Sequence, residues 1–163
     1  MSDRIRLREM TEADWPDVAA IWAEGIATGN ATFETEPPSW AAFAATRRQE
    51  GRLVAEREGV VVGWAALSPV SSRPCYAGVT ENSVYVAASA RGGGVGTALM
   101  EALTTAAAKA GIWTIQTSVF PENAASIALH QRAGFRVVGR RERIAELGGV
   151  WRDTLFLELR LPT

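Results

Sequence analysis

Only one cysteine, Cys75, occurs among the 163 residues. Without a second thiol, one chain can build neither a disulfide framework nor a cysteine-based zinc site, and no metal is expected. An excess of one charge is also lacking: 17 Lys and Arg face 18 Asp and Glu, a formal net charge of −1. Binding a nucleic-acid backbone requires a basic stripe, so nucleic acid is not an expected partner. No apolar run approaches the ~20 residues that cross a bilayer, so no membrane partner is expected either. Residues 1–9 alternate charged and apolar positions, without the apolar stretch of a secretion signal. These absences imply a cytoplasmic protein. The chain is 47% hydrophobic and 21% charged, which fits one domain over residues 1–163 with its own core.

Periodicity then orders the elements. Ile5 and Leu7 alternate with arginines as a strand with one wet face. Thr11 opens Thr-Glu-Ala-Asp, close to a capping box, its hydroxyl expected to accept an orphan amide ahead of a helix carrying Trp15, Val18, Ile21, Trp22 and Ile26. Residues 29–38 break that helix, and Ser39 caps a second one that ends near Gly51. Residues 53–56 and 60–67 form a hairpin around Glu58-Gly59. A loop covers 68–80, a short strand 83–87, a glycine-rich turn 91–96 and an alanine-rich helix 95–110. A strand over 113–119, a helix from 121–123 to Ala133, and strands over 135–144 and 151–159 complete the chain. The fold class is α/β, a mixed central sheet flanked by helices in the order β-α-α-β-β-β-α-β-α-β-β.

The turn Arg91-Gly92-Gly93-Gly94-Val95-Gly96-Thr97 lies between a strand and a helix. Helix-start amides and the positive end of the helix dipole point outwards there, which suits a phosphate or pyrophosphate. A Walker loop would need Gly-Lys-Ser/Thr, and no lysine follows Gly96. The dinucleotide fingerprint fails because Thr97 and Leu99 stand where its third glycine belongs. Arg-x-x-Gly-x-Gly remains, met by Arg91, Gly94 and Gly96. The glycines alone fit a ligand-free structural turn equally well.

Arg-x-x-Gly-x-Gly after Val84-Tyr85-Val86 resembles the acetyl-CoA pyrophosphate loop of GNAT N-acetyltransferases. The stretch from Asn123 through Ser126 and His130 to Gly134-Phe135 resembles the second half of that cofactor site, where an Asn faces the pantetheine arm. Glu81-Asn-Ser-Val-Tyr-Val86 is similar to a strand of the phosphinothricin acetyltransferase subfamily, which includes enzymes acting on methionine sulfoximine and sulfone. Arg73 and Tyr76 precede Glu81 at the subfamily's spacing. Thr32-Phe33-Glu34-Thr35-Glu36-Pro37 and Gly149-Val-Trp151-Arg-Asp153 match two further segments.

The resemblance implies acetyl-CoA as donor, direct acetyl transfer to a small-molecule amine, and a homodimer. It assigns the cofactor to Val84, Tyr85, Val86, Arg91, Gly92, Gly93, Gly94, Val95, Gly96, Thr97, Asn123 and Ser126. Glu81 is the implied base, direct or through water. Burial would have to raise its pKa, and the plain alternative is a solvated carboxylate. His130, the only histidine, is an acid, a proton relay or a packed helix residue. Arg73 suits a substrate carboxylate or phosphinate, because its fork meets two oxygens at once. Phe33, Tyr76, Tyr85, Trp151 and Glu81 complete the substrate set, with core packing the alternative for Phe33 and Trp151.

Three departures stand out. Gly92-Gly93 occupies positions where relatives carry a longer basic residue, Asn82-Ser83 replaces a Ser-Thr type pair, and Ser71-Ser72 lacks a lysine. Arg140, Arg141 and Arg143 read as a solvated strand face. The remaining readings are acetylation of a protein N-terminus or lysine, and a non-catalytic acetyl-CoA-binding module.

Overall fold

The computed structural model describes residues 4–162. Seven strands form one sheet: β1 (Ile5–Glu9), β2 (Leu53–Arg57), β3 (Val60–Pro69), β4 (Val79–Val86), β5 (Thr114–Val119), β6 (Arg136–Leu147) and β7 (Val150–Arg160). Their spatial order is β1-β2-β3-β4-β5-β7-β6. Only β4 and β5 run parallel; every other neighbouring pair is antiparallel. The helices are α1 (Trp15–Ala27), α2 (Trp40–Thr46), α3 (Val95–Lys109) and α4 (Ala124–Arg132). This is the expected mixed α/β order. No helix among the described residues is long and apolar enough to cross a membrane.

Burial explains the sequence texture of the strands. Val61 to Leu67 in β3 is buried without interruption, so no polar alternation survives there. Edge strand β6 is exposed along nearly its whole length, which tolerates its run of charges. Leu99, Met100, Leu103 and Ala107 recur at helical spacing on α3 and are buried in the core. Each buried leucine there contributes about 1.5–3 kcal/mol. Trp22, Phe43, Trp64 and Tyr85 interlock nearby, with Trp64 and Tyr85 stacked at 4.9 Å between ring centres. Trp15 and Trp40 extend the cluster, as packing residues.

Three local expectations change. The capping box at Thr11 forms, with Asp14 Oδ2 accepting the Thr11 N–H at 2.8 Å and the Thr11 hydroxyl at 3.2 Å, but it caps a short turn ahead of the helix rather than the helix itself. Residues 12–14 make a short 3-10 turn, and α1 starts at Trp15. Helix α2 stops at Thr46 rather than near Gly51, because Arg47 turns extended and the Arg48 N–H donates to Leu67 O at 2.8 Å. Strand β4 begins at Val79, four residues ahead of expectation. Its first residues pair on both edges, with β3 and with β5.

Candidate active site

The sheet splits where β4 meets β5. Their register runs from Val79↔Thr114 to Glu81↔Gln116 and then ends. Residues 83–86 stay paired to β3 on the other side, so β4 presents a free backbone edge to the opening. Residues 82–86 and 117–119 line the two walls of a cleft of about 1140 Å³. Unpaired strand edges hold extended, amide-bearing ligands by main-chain hydrogen bonds.

The glycine turn closes one end. Gly94 caps α3 with φ 83°, a left-handed conformation that side chains rarely adopt. No carboxylate stands in the first turn of α3, whose orphan amides stay open to an anion. Arg91, Gly92, Gly94, Val95, Gly96 and Thr97 line the cleft. Gly93 does not; it is turned towards Arg57 of β2, whose Nη2 donates to its carbonyl at 3.1 Å.

Helix α4 forms part of the opposite wall. Asn123 caps it, Oδ1 accepting the Ser126 N–H at 3.1 Å, while Nδ2 donates to Asn30 O at 3.0 Å. Both ends of this amide are therefore engaged within the protein. His130 lines the cleft yet is only 4% exposed. Its Nδ1 lies 2.7 Å from Ser126 O, an acceptor, which assigns the ring proton to Nδ1. Nε2 then accepts from Asn82 Nδ2 at 3.0 Å. Burial pulls the His130 pKa below its ordinary value, which keeps the ring neutral. No ring nitrogen is left free.

Glu81 stands at the fork, its side chain open to the cleft. Surrounding protein still desolvates the carboxylate enough to raise its pKa, against the opposing pull of Arg47, Gln116 and Arg141. Tyr85 is pushed up to about 12, mainly by burial, and remains a neutral phenol.

Residues 30–34 supply the third wall. Arg152 ties this segment down, donating to Gly29 O at 2.8 Å and to Asn30 Oδ1 at 2.7 Å, with Glu122 at 3.3 Å. The Arg152 guanidinium lies 4.0 Å from the centre of the Phe120 ring, and Phe120 packs edge-on against Phe33 at 4.8 Å. Sequence reading missed Arg152, Asn30 and Asn82 as site builders. Their partners lie 30 to 123 residues away along the chain, so nothing local shows their role.

Glu81, His130, Phe33, Ser126, Asn123 and the residues 84–86 all come together at the cleft. Arg73, Tyr76 and Trp151 do not line it. Arg73 and Tyr76 sit on the exposed turn before β4, the cation 5.6 Å from the phenol ring. Trp151 lies half-exposed at the start of β7, beneath Arg143. Arg140 pairs with Asp153, so the basic cluster of β6 is partly neutralised. Among the described residues, no group of three or more His, Cys, Asp or Glu side chains is placed to hold a metal ion.

Known proteins share this architecture. The profile of the acetyltransferase (GNAT) family matches residues 7–135. An L-methionine sulfoximine/L-methionine sulfone acetyltransferase of Pseudomonas aeruginosa is 31% identical over 164 aligned residues, covering 96% of this chain and 95% of that protein. A phosphinothricin acetyltransferase of Sinorhizobium meliloti, solved in complex with AcCoA, superposes with a TM-score of 0.86 at 32% identity, over 96% of this chain and 88% of that one. A structure of ribosomal-protein-alanine N-acetyltransferase from Brucella melitensis gives 0.86 at 34% identity, over 96% and 99%. With its split sheet, glycine turn and family-wide match, the chain belongs to the GNAT family and is an acetyl-CoA-dependent N-acetyltransferase.

Proposed function

We propose that the chain acetylates the amine of a small acidic amino acid or analogue, of the phosphinothricin, methionine sulfoximine or methionine sulfone type. The observation that carries the catalytic part is Glu81 at the fork of the sheet, beside the free edge of β4, with its pKa raised. Bound acetyl-CoA supplies the acetyl group as a thioester. An amine arrives as ammonium and must lose a proton before attack, and a carboxylate whose pKa is lifted towards neutrality takes it more readily. Glu81 removes that proton directly or through one water. The free N–H groups along β4 donate towards the carbonyl oxygen where negative charge develops. His130, neutral and bonded at both nitrogens, acts as the buried support of Asn82 rather than as a proton donor.

Kinship with the Pseudomonas and Sinorhizobium proteins supports the substrate class. The Arg73–Tyr76 pair lies outside the cleft of one chain, so kinship rather than an arginine at Glu81 carries the substrate class. A second reading, acetylation of an alanine-led protein N-terminus, is favoured by the likeness to the Brucella structure. Thiol release from acetyl-CoA over a panel of amines separates the two. Phosphinothricin, methionine sulfoximine, methionine sulfone, free amino acids and an alanine-led peptide form the panel. The proposal expects turnover confined to the amino-acid class, and preference for the peptide would overturn it.

The same reading includes a homodimer. Val137, Val138, Ile144 and Val150 leave apolar side chains bare along the β6–β7 edge of the sheet. Light scattering should give twice the mass of 17.5 kDa, and the single-chain mass would refute this part.

A further inference from the structure

The glycine turn carries one cation of its own, Arg91, and then three glycines in succession. Coenzyme A brings a pyrophosphate and a 3′-phosphate to this family's site, a large negative charge for orphan amides and one arginine to meet. A second arginine stands at the turn, just outside the residues that line the cleft, supplied from another element. Arg57 ends β2, and the pairing of β2, β3 and β4 brings that end beside the turn that follows β4.

Gly93 shows the fit. A Cβ built there would lie 2.8 Å from Arg57 Nη2 and 3.1 Å from Nη1. The Gly93 backbone is not left-handed, unlike those of Gly92 and Gly94, so its conformation does not demand glycine. The guanidinium occupies the place of the missing side chain, and as the far end of a flexible arm it could swing aside for one. One bond, from Nη2 to the Gly93 carbonyl, uses only part of the fork. Nε is buried without a partner, and no carboxylate lies within ion-pair distance among the described residues. A cation held against an anion-binding turn, with donors unspent and no counter-charge, suits phosphate.

We propose that Arg57 is a phosphate-binding residue of the acetyl-CoA site, delivering from β2 a second cation to a turn whose own is Arg91. The inference rests on the cofactor and not on the identity of the amine, so it is tested by binding alone. Calorimetric titration with coenzyme A should show Arg57→Ala and Arg57→Gln both weakened roughly tenfold, the weight of one charge-assisted bond. Gln can still donate to the Gly93 carbonyl but carries no charge. Gly93→Lys in the Arg57→Ala background should regain most of the loss, since it returns a cation to the vacated space. Titration with 3′-dephospho-coenzyme A identifies the phosphate. A difference between wild type and Arg57→Ala that vanishes assigns the 3′-phosphate, and one that persists assigns the pyrophosphate. Wild-type affinity in Arg57→Gln would reduce Arg57 to a brace of the turn and overturn the proposal. Failure of the lysine rescue would also count against it.

Discussion

Asn82 shows how one buried amide can set the state of its neighbours. It alternates with Glu81 on β4, so one side chain faces the cleft while the other turns into the protein to meet His130 Nε2. Replacing Asn82 by alanine would strip a buried nitrogen of its donor, at a cost of about 1–3 kcal/mol. For a chain of this size that lowers the melting temperature by roughly 2–4 °C per kcal/mol. His130 is the single histidine, so its NMR titration is unambiguous. It should titrate below the ordinary value near 6.5, because the charged ring is desolvated. Asn82→Asp should move it upwards, a carboxylate at Nε2 favouring the imidazolium. A wild-type value at or above 6.5 would contradict the neutral assignment. A depressed histidine pKa also contributes to the pH dependence of stability. Its contribution is complete above the unfolded value and is lost as pH falls from there through the folded one.

Part of this was legible in the residues themselves. Glu81 and His130 stand inside short segments whose spacing carries information. Asn82 counted only as a mild departure, since its role depends on a ring 48 positions away.

At the scale of elements, residues 30–34 form a wall of the cleft without helix or strand to stiffen them. Arg152 from β7, Asn123 from the start of α4 and Phe120 after β5 hold them in place. Arg152→Ala removes two charge-assisted bonds from that wall. The expected result is a KM for the amine raised about tenfold, with kcat and the affinity for coenzyme A little changed. An unchanged amine KM would refute this role. A different clamp joins β1, β2 and the entry to α1, where Arg8 meets Asp14 at 2.7 Å and also Glu56. That bond to Arg8 holds the Asp14 pKa down to about 2, below the ordinary aspartate range. Its stabilisation is complete above the ordinary aspartate range and is lost as pH falls through about 2. Asp14→Asn should cost about 1–2 kcal/mol at neutral pH after screening, with the gap to wild type closing in acid. A gap independent of pH would assign the loss to packing instead.

The order of elements follows from periodicity because each helix and strand carries its own apolar rhythm. The two misplaced boundaries have a common cause. Helix α2 ends, and β4 begins, where long-range pairing with β3 overrides local propensity. Thr80, Glu81 and Asn82 gave β4 a loop-like start, and two of them, Glu81 and Asn82, stand at the cleft. Local rules fail there because polar residues at the cleft occupy the positions that would have signalled a strand.

Over the whole molecule, one parallel junction in an otherwise antiparallel sheet creates the site. Strands β4 and β5 begin as partners and separate after Glu81, leaving a free edge, a glycine turn and the Glu81 carboxylate around one opening. The family was readable from the glycine turn and the Glu81 strand together. The placing of Arg73 and Tyr76 was not, because they hold the expected spacing but stand outside the cleft. Spacing along a chain does not fix which way a loop points.

The most direct test of the account is the pH dependence of thiol release from acetyl-CoA, with the best amine of the panel, for wild type and Glu81→Gln. Base catalysis predicts that wild-type kcat/KM rises with pH through an apparent pKa above the ordinary glutamate value, because burial has raised it. Glu81→Gln should lose that limb and roughly 10²–10⁴-fold in rate, while coenzyme A still binds. A mutant that keeps both the rate and the limb would place the base elsewhere and contradict the central claim.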